Sequence, residues 1–283
     1  MLLLALALVN LSHADECAST DAPDPVDDDP CSDVCIMTNA GSDFSIECDI
    51  STATGTTDGH VYAMHRYDAS SKEYTFWGQT ADNDDFCCAF DEPSSFPERM
   101  VEITINGGAG DDVLMLSDST STYSMDQALV VNVYGNEGMD FIMGTSDRTD
   151  HEYNLYGGDD NDTIECREDA CYVEGGSDHD VITGSDQGDI IYGDNAGVVG
   201  GSYDYISGKD ETDYLYGQGG NDIICGGSLN DYLYGESGLD ILWGAGGSPD
   251  YAHGGTGPSN DKCGAESVFE CEAVQTTIPS ECP

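Results

Sequence analysis

Positive charge is almost missing from this chain. Its 283 residues include 7 Lys and Arg against 56 Asp and Glu, a formal net charge of −49. So negative a field excludes nucleic acid as a partner, repels anionic membrane, and attracts divalent cations. Long apolar runs are missing too. The only sizeable one, residues 2–9, falls far short of the roughly 20 residues that cross a bilayer as a helix, so no membrane insertion is expected. Catalytic signatures are absent as well: there is no H-E-x-x-H and no G-x-S-x-G. The histidines (His13, His60, His65, His151, His179 and His253) form no recognisable dyad, and carboxylates are too numerous for one pair to stand out. No enzyme is expected.

Glycine and aspartate are abundant, and they are ordered. Residues 208–243 read GKDETDYLY, GQGGNDIIC, GGSLNDYLY, GESGLDILW, four abutting blocks of nine. Each opens with Gly (Gly208, Gly217, Gly226, Gly235), has Asp at its sixth place (Asp213, Asp222, Asp231, Asp240) and a large aliphatic at its eighth (Leu215, Ile224, Leu233, Leu242). The fullest single match to G-G-x-G-x-D-x-U-x is Gly107-Gly108-Ala109-Gly110-Asp111-Asp112-Val113-Leu114-Met115. Side chains alternate along a strand, so U points opposite to its neighbours and is the core residue. Glycine permits the positive φ angles of a sharp turn. Asp carboxylates and turn carbonyls are hard oxygen donors suited to Ca²⁺.

The U row continues upstream through Ile206, Ile191, Ile182, Val173, Ile164, Leu155, Ile142, Val133, Leu114 and Ile105. Steps longer than nine locate insertions between Ser117 and Asn132, Gly144 and Asn154, and Gly193 and Tyr203. The Asp row runs in parallel: Asp112, Asp140, Asp162, Asp180, Asp189, Asp204, Asp213, Asp222, Asp231 and Asp240, with Asp250 and Asp261 as worn continuations. These are the candidate metal ligands, within a roll spanning residues 104–262.

Residues 104–262 resemble the RTX, or haemolysin-type, calcium-binding nonapeptide repeats. The resemblance implies an all-β chain dominated by a right-handed parallel β-roll with two blocks per turn. It also implies Ca²⁺ between the loops of stacked turns, held by the sixth-place Asp and backbone carbonyls. The fourth-place Gly is replaced by Asp160, Asp178, Gln187, Glu211 and Leu229 in several blocks, where weaker binding is expected.

The block 166–174 keeps its period and its core Val173, but Cys166 replaces the leading Gly and Cys171 replaces the Asp. A local Cys166–Cys171 disulfide would close that turn where calcium cannot; pairing elsewhere is the alternative. Following alternate blocks separates two outer faces. One carries Tyr156, Tyr172, Tyr192, Tyr214, Tyr216, Tyr232 and Tyr234, of which Tyr192, Tyr214, Tyr216, Tyr232 and Tyr234 form the candidate binding face. The other carries Thr163, Glu165, Val181, Thr183, Tyr205, Ile223, Cys225, Ile241 and Trp243. Tyrosine also stabilises sheets by stacking between strands, so the ladder has a structural explanation beside a functional one.

The remaining chain is divided as follows. Residues 1–14 have a short apolar core and a small-x-small end (Ser12-His13-Ala14), and are expected to be a secretory signal, although they lack a basic start. Residues 15–30 form an acidic, Pro-rich linker. Residues 31–103 hold Cys31, Cys35, Cys48, Cys87 and Cys88 among aromatic, alternating segments, and read as a small disulfide-stapled β domain that caps the roll. Cys31 and Cys35 with His60 and His65 fit no common zinc spacing, which favours disulfides there. Residues 263–283, with Cys263, Cys271 and Cys282, read as a disulfide-held C-terminal cap. The sequon Asn161-Asp162-Thr163 lies within a calcium turn and should go unused. Twelve cysteines, an even number, fit an oxidising, extracellular compartment. The expected protein is secreted or at the cell surface. It would be a structural or adhesive element that folds on calcium, associating with itself as a filament or matrix subunit or with an extracellular surface or polysaccharide. The alternative is a module that recognises carbohydrate, ice or mineral through its tyrosine face.

Overall fold

The computed structural model describes residues 99–115, 130–144, 152–195, 201–247, 249–255, 261–265, 267–271, 273–274 and 282, with the backbone of five strands upstream. The expected signal and linker, residues 1–30, lie outside the described residues, as do the side chains of the five cysteines in 31–103. Among the described residues all regular structure is β, in two long sheets of 11 and 12 strands and a two-stranded pairing of Gly219–Gly220 with Ser237–Gly238. The chain passes back and forth between the sheets, so that successive strands of one sheet pair in parallel.

The first sheet contains Arg99–Ala109, Val130–Glu137, Glu152–Asp159, Cys171–Gly176, Ile190–Asp194, Tyr214–Tyr216, Tyr232–Tyr234, Tyr251–His253 and Ser267–Phe269. The second contains Val113–Met115, Phe141–Met143, Thr163–Arg167, Val181–Ser185, Tyr205–Lys209, Ile223–Ser228, Ile241–Gly246, Lys262–Gly264 and Ala273–Val274. Pairing superposes equivalent places of the repeat: Ile164 faces Ile182, Tyr192 faces Tyr216, and Leu215 faces Leu233. Insertions leave this register intact, because they lie in the turns. Ile182 faces Ile206 across the insertion that follows Gly193.

Both sheets run past the ends of 104–262. Upstream, Asp43–Asp49 pairs in parallel with Arg99–Ala109, and Tyr62–Asp68 pairs in parallel with Val113–Met115. Antiparallel strands then flank the upstream end of each sheet: Cys35–Ala40 beside Asp43–Asp49, and the Glu73–Gln79/Asp85–Asp91 pair beside Tyr62–Asp68. The 31–103 segment therefore continues the solenoid's own sheets. Its turn to antiparallel pairing ends the parallel stack.

The core is a single file. Every U residue from Ile105 to Leu242 is at most 1 % exposed, and Ala252 and Cys263 extend the row at 0 %. Cys263 bonds Cys271 near the core's C-terminal end, where Val268 also packs against the row. Cys282 bonds Cys225 on the outer face of the second sheet, 57 residues away in sequence. The pair is buried with Ile223 and packed by Tyr205, Ile241 and Trp243. The C-terminal cap is thus also a strap across the roll.

One core side chain per block leaves little redundancy. Leu233 is fully buried between Leu215 and Ala252. Leu233→Ala should destabilise the folded chain by about 2–5 kcal/mol in urea unfolding, as expected for a buried large-to-small change. Ile190→Ala, at a site 41 % exposed, should cost far less. Equal losses would show that the row is not the core.

Candidate metal centre on the roll edges

The turns joining the sheets lie along two edges. On the edge leading from the first sheet to the second, the sixth-place residues are Asp112, Asp140, Asp162, Asp180, Asp204, Asp222, Asp240 and Asp261, each at most 3 % exposed. From Asp140 onward each carboxylate fastens neighbouring coils. The backbone N–H of Asp140 donates to Asp162 Oδ1 at 2.8 Å, that of Asp162 to Asp180 Oδ1 at 2.8 Å, and so on to Asp240, which donates to Asp261 Oδ1. The Asp carbonyl accepts in the opposite sense: Val181 N–H donates to Asp162 O, and Ile241 N–H donates to Asp222 O. On the other edge the same ladder runs from Asp189 through Asp213 and Asp231 to Asp250.

That accounts for Oδ1 and leaves Oδ2. In Asp112, Asp140, Asp162, Asp180, Asp204, Asp213, Asp222, Asp231 and Asp240, Oδ2 is buried with no hydrogen-bond partner. Each points to the leading glycine of its own turn. A Cβ on Gly107 would lie 2.5 Å from Asp112 Oδ2 and 2.9 Å from the carbonyl oxygen of Gly135 on the next coil. The leading glycine therefore clears a space where a carboxylate oxygen and a backbone carbonyl converge. A buried carboxylate oxygen without a donor costs several kcal/mol unless a cation or a proton satisfies it. Hard oxygens are the donor set that Ca²⁺ takes, so the residues fit that ion.

The backbone is shaped for the same purpose. The second and fourth places of these turns are left-handed, as at Gly108 (φ 110°) and Gly110 (φ 110°). The fourth-place departures mostly preserve this shape. Asp160, Asp178, Glu211 and Leu229 take φ of 78°, 71°, 72° and 78°, at a steric cost of about 1–2 kcal/mol each. Gln187 alone among the five does not adopt a positive φ. The weakening expected at all five places thus has a backbone counterpart only at Gln187.

A model of the RTX calcium-binding nonapeptide repeat matches residues 104–118, 154–165, 172–196, 199–233 and 230–251. Residues 104–251 belong to this family. No curated protein and no solved structure is significantly similar to the chain.

Within the RTX array the remaining candidates fall as follows. Cys166 and Cys171 form a disulfide, with Cα atoms 6.1 Å apart. Its sulfurs are buried with the Asp189 carboxylate, whose Oδ1 accepts the Cys171 N–H at 2.7 Å. The Asp whose Oδ2 crowds the leading glycine in other turns is absent here, where Cys171 stands in its place.

The tyrosines line the first sheet as expected. Rings stack between coils at 4.7 Å for Tyr192–Tyr216 and 4.8 Å for both Tyr214–Tyr232 and Tyr216–Tyr234. Tyr134 and Tyr251 also belong to the array, and only the absence of an unbroken repeat around them concealed this. Sequence reasoning also missed Asp194. It is 2 % exposed at the second place of the inserted turn, and its carboxylate accepts the N–H groups of Gly219 and Ser202. Its position beside an insertion gave it no repeat context.

Burial raises the carboxyl pKa values, with like-charged neighbours adding to it: to about 7 at Asp112, about 8 at Asp162 and about 9 at Asp180, Asp213 and Asp222. A raised carboxyl binds its proton in the folded chain at a pH where the unfolded chain has lost it. Its stabilising effect is complete below about pH 4 and is lost as pH rises toward 9. Each pKa unit corresponds to about 1.4 kcal/mol. The metal-stripped chain should therefore show more β signal in circular dichroism at pH 5 than at pH 8, while calcium affinity rises over the same interval. More structure at pH 8 without metal would contradict this account of the edges.

Proposed function

We propose that the protein is a secreted β-roll that folds around calcium and acts outside the cell as a structural or adhesive element, without catalysis. The observation that carries this reading is the repeated buried Oδ2 that lacks a partner, set against a backbone carbonyl of the next coil at Asp112, Asp140, Asp162, Asp180, Asp204, Asp213 and Asp240. The ligands would be Asp112, Asp140, Asp162, Asp180, Asp204, Asp213, Asp222, Asp231 and Asp240, with carbonyls of the stacked turns. Bound Ca²⁺ supplies the positive charge these rows need; the chain supplies spacing and burial.

Secretion is supported by disulfides at three places among the described residues, which suit an oxidising compartment. A structural role is supported by the tyrosine face. Its best-aligned rings lie parallel within 10° and cover one another, so they stiffen the sheet and offer their edges and hydroxyls outward. Such a row suits association with a copy of the chain or an ordered extracellular surface better than ring-on-sugar stacking.

Calorimetric titration of the metal-stripped full chain tests the calcium reading. Saturable binding of several Ca²⁺ is expected at neutral pH. Mg²⁺ at the same concentrations should not substitute, because it demands near-ideal octahedral geometry and dehydrates reluctantly. Absence of saturable calcium binding, or equal binding of both ions, would overturn it.

A further inference from the structure

The two edges of the roll are unequal. Along the first-to-second-sheet edge, Asp112, Asp140, Asp162, Asp180, Asp204, Asp222 and Asp240 each present a buried Oδ2 with no partner. On the opposite edge, the place two residues before the core residue is held in turn by Val131, Tyr153, Cys171, Asp189, Asp213 and Asp231. The first three have no carboxylate, and they are 1 %, 2 % and 5 % exposed. They fill that edge with apolar bulk and a disulfide.

Asp189 matches the motif but differs in its surroundings from the nine aspartates whose Oδ2 has no partner. Its Oδ2 accepts the backbone N–H of Ser185 at 2.6 Å, and its Oδ1 accepts the Cys171 N–H at 2.7 Å and lies 3.2 Å from Ser185 Oγ. The positive charge of Lys209 also acts on this carboxylate. The backbone agrees: no residue from Ser185 to Gly188 adopts a positive φ. In the next turns of the same edge, Lys209 and Glu211 do (85° and 72°), as do Gly227 and Leu229 (124° and 78°). Asp213 and Asp231 have partnerless Oδ2 atoms there.

We infer that calcium is held along one edge from Asp112 to Asp240, but on the opposite edge only at Asp213 and Asp231, and that Asp189 closes its turn with protein hydrogen bonds in place of metal. This rests on the calcium reading above. The apolar plug at Val131 and Tyr153, the Cys166–Cys171 bridge and the Ser185–Asp189 turn form a metal-independent spine. The coils from Tyr205 onward would depend on ions at both edges.

Equilibrium dialysis of the full chain against radioactive Ca²⁺ separates these roles. Asp222→Asn and Asp213→Asn should each lower the number of ions bound, and Asp231→Asn serves in place of Asp213→Asn if the latter does not fold. Asp189→Asn should keep the wild-type number while lowering the melting temperature, because an amide nitrogen cannot accept the Ser185 N–H. Loss of an ion from Asp189→Asn would overturn the inference. So would retention of all ions by Asp213→Asn and Asp231→Asn while Asp222→Asn loses one. A wild-type chain that binds no calcium would overturn the calcium reading itself, and the division of the edges with it.

Discussion

Parallel stacking in register sets each side chain over its own counterpart one strand spacing away, about 4.8 Å. For Ile164 over Ile182, or Tyr216 over Tyr234, this is attractive: apolar surface meets apolar surface and ring meets ring. For Asp162 over Asp180 it is repulsive. Two carboxylates ~5 Å apart at an effective dielectric near 20 repel by roughly 3 kcal/mol, and burial adds to the penalty. The same register that makes the core therefore makes the edges untenable as bare anions. The Oδ1 bonds to the neighbouring coil hold the carboxylates in line, and the empty-handed Oδ2 atoms define what must be added.

Where the register meets a different residue, the chain changes the means of closure. Tyr153 fills the place with bulk, Cys171 with a disulfide, Asp189 with Ser185 and the nearby Lys209. Cys263 ends the core row by bonding Cys271, and Cys282 straps the chain to Cys225. At Tyr153 and Cys171 the carboxylate itself is gone. A solenoid stabilised only by nearest-neighbour contacts is vulnerable at every interface; the Cys166–Cys171 and Cys263–Cys271 staples lie where the aspartate or aliphatic row is interrupted, and Cys225–Cys282 ties an intact block to the chain end.

The core from Ile105 to Leu242 was legible because strand alternation and a nine-residue period fix which residue points inward, whatever the insertions do. The sixth-place aspartates and the tyrosine face follow from the same period. What stayed hidden needed three dimensions. Asp189 looks like Asp213 in sequence, and only the backbone of 185–188 and the Ser185 N–H distinguish them. Leu229 and Glu211 look like defects at a glycine position, yet their backbones keep the left-handed shape. The Cys225–Cys282 pairing joins residues 57 apart, beyond the reach of any local pattern. Residues 31–103 read as a β domain or cap at the roll's N-terminal end; that their strands join both sheets stayed hidden, because pairing partners cannot be read from composition.

The central claim is that the folded roll cannot persist with its aspartate rows uncompensated at neutral pH. Small-angle X-ray scattering of the full chain at pH 8, in chelator and then in excess Ca²⁺, tests it most directly. In chelator the radius of gyration should rise toward the value of an unfolded chain of this length, about 60 Å without cross-links, less whatever the disulfides withhold. Added calcium should contract it to that of a compact rod. The same compact profile in chelator and in calcium would contradict the claim.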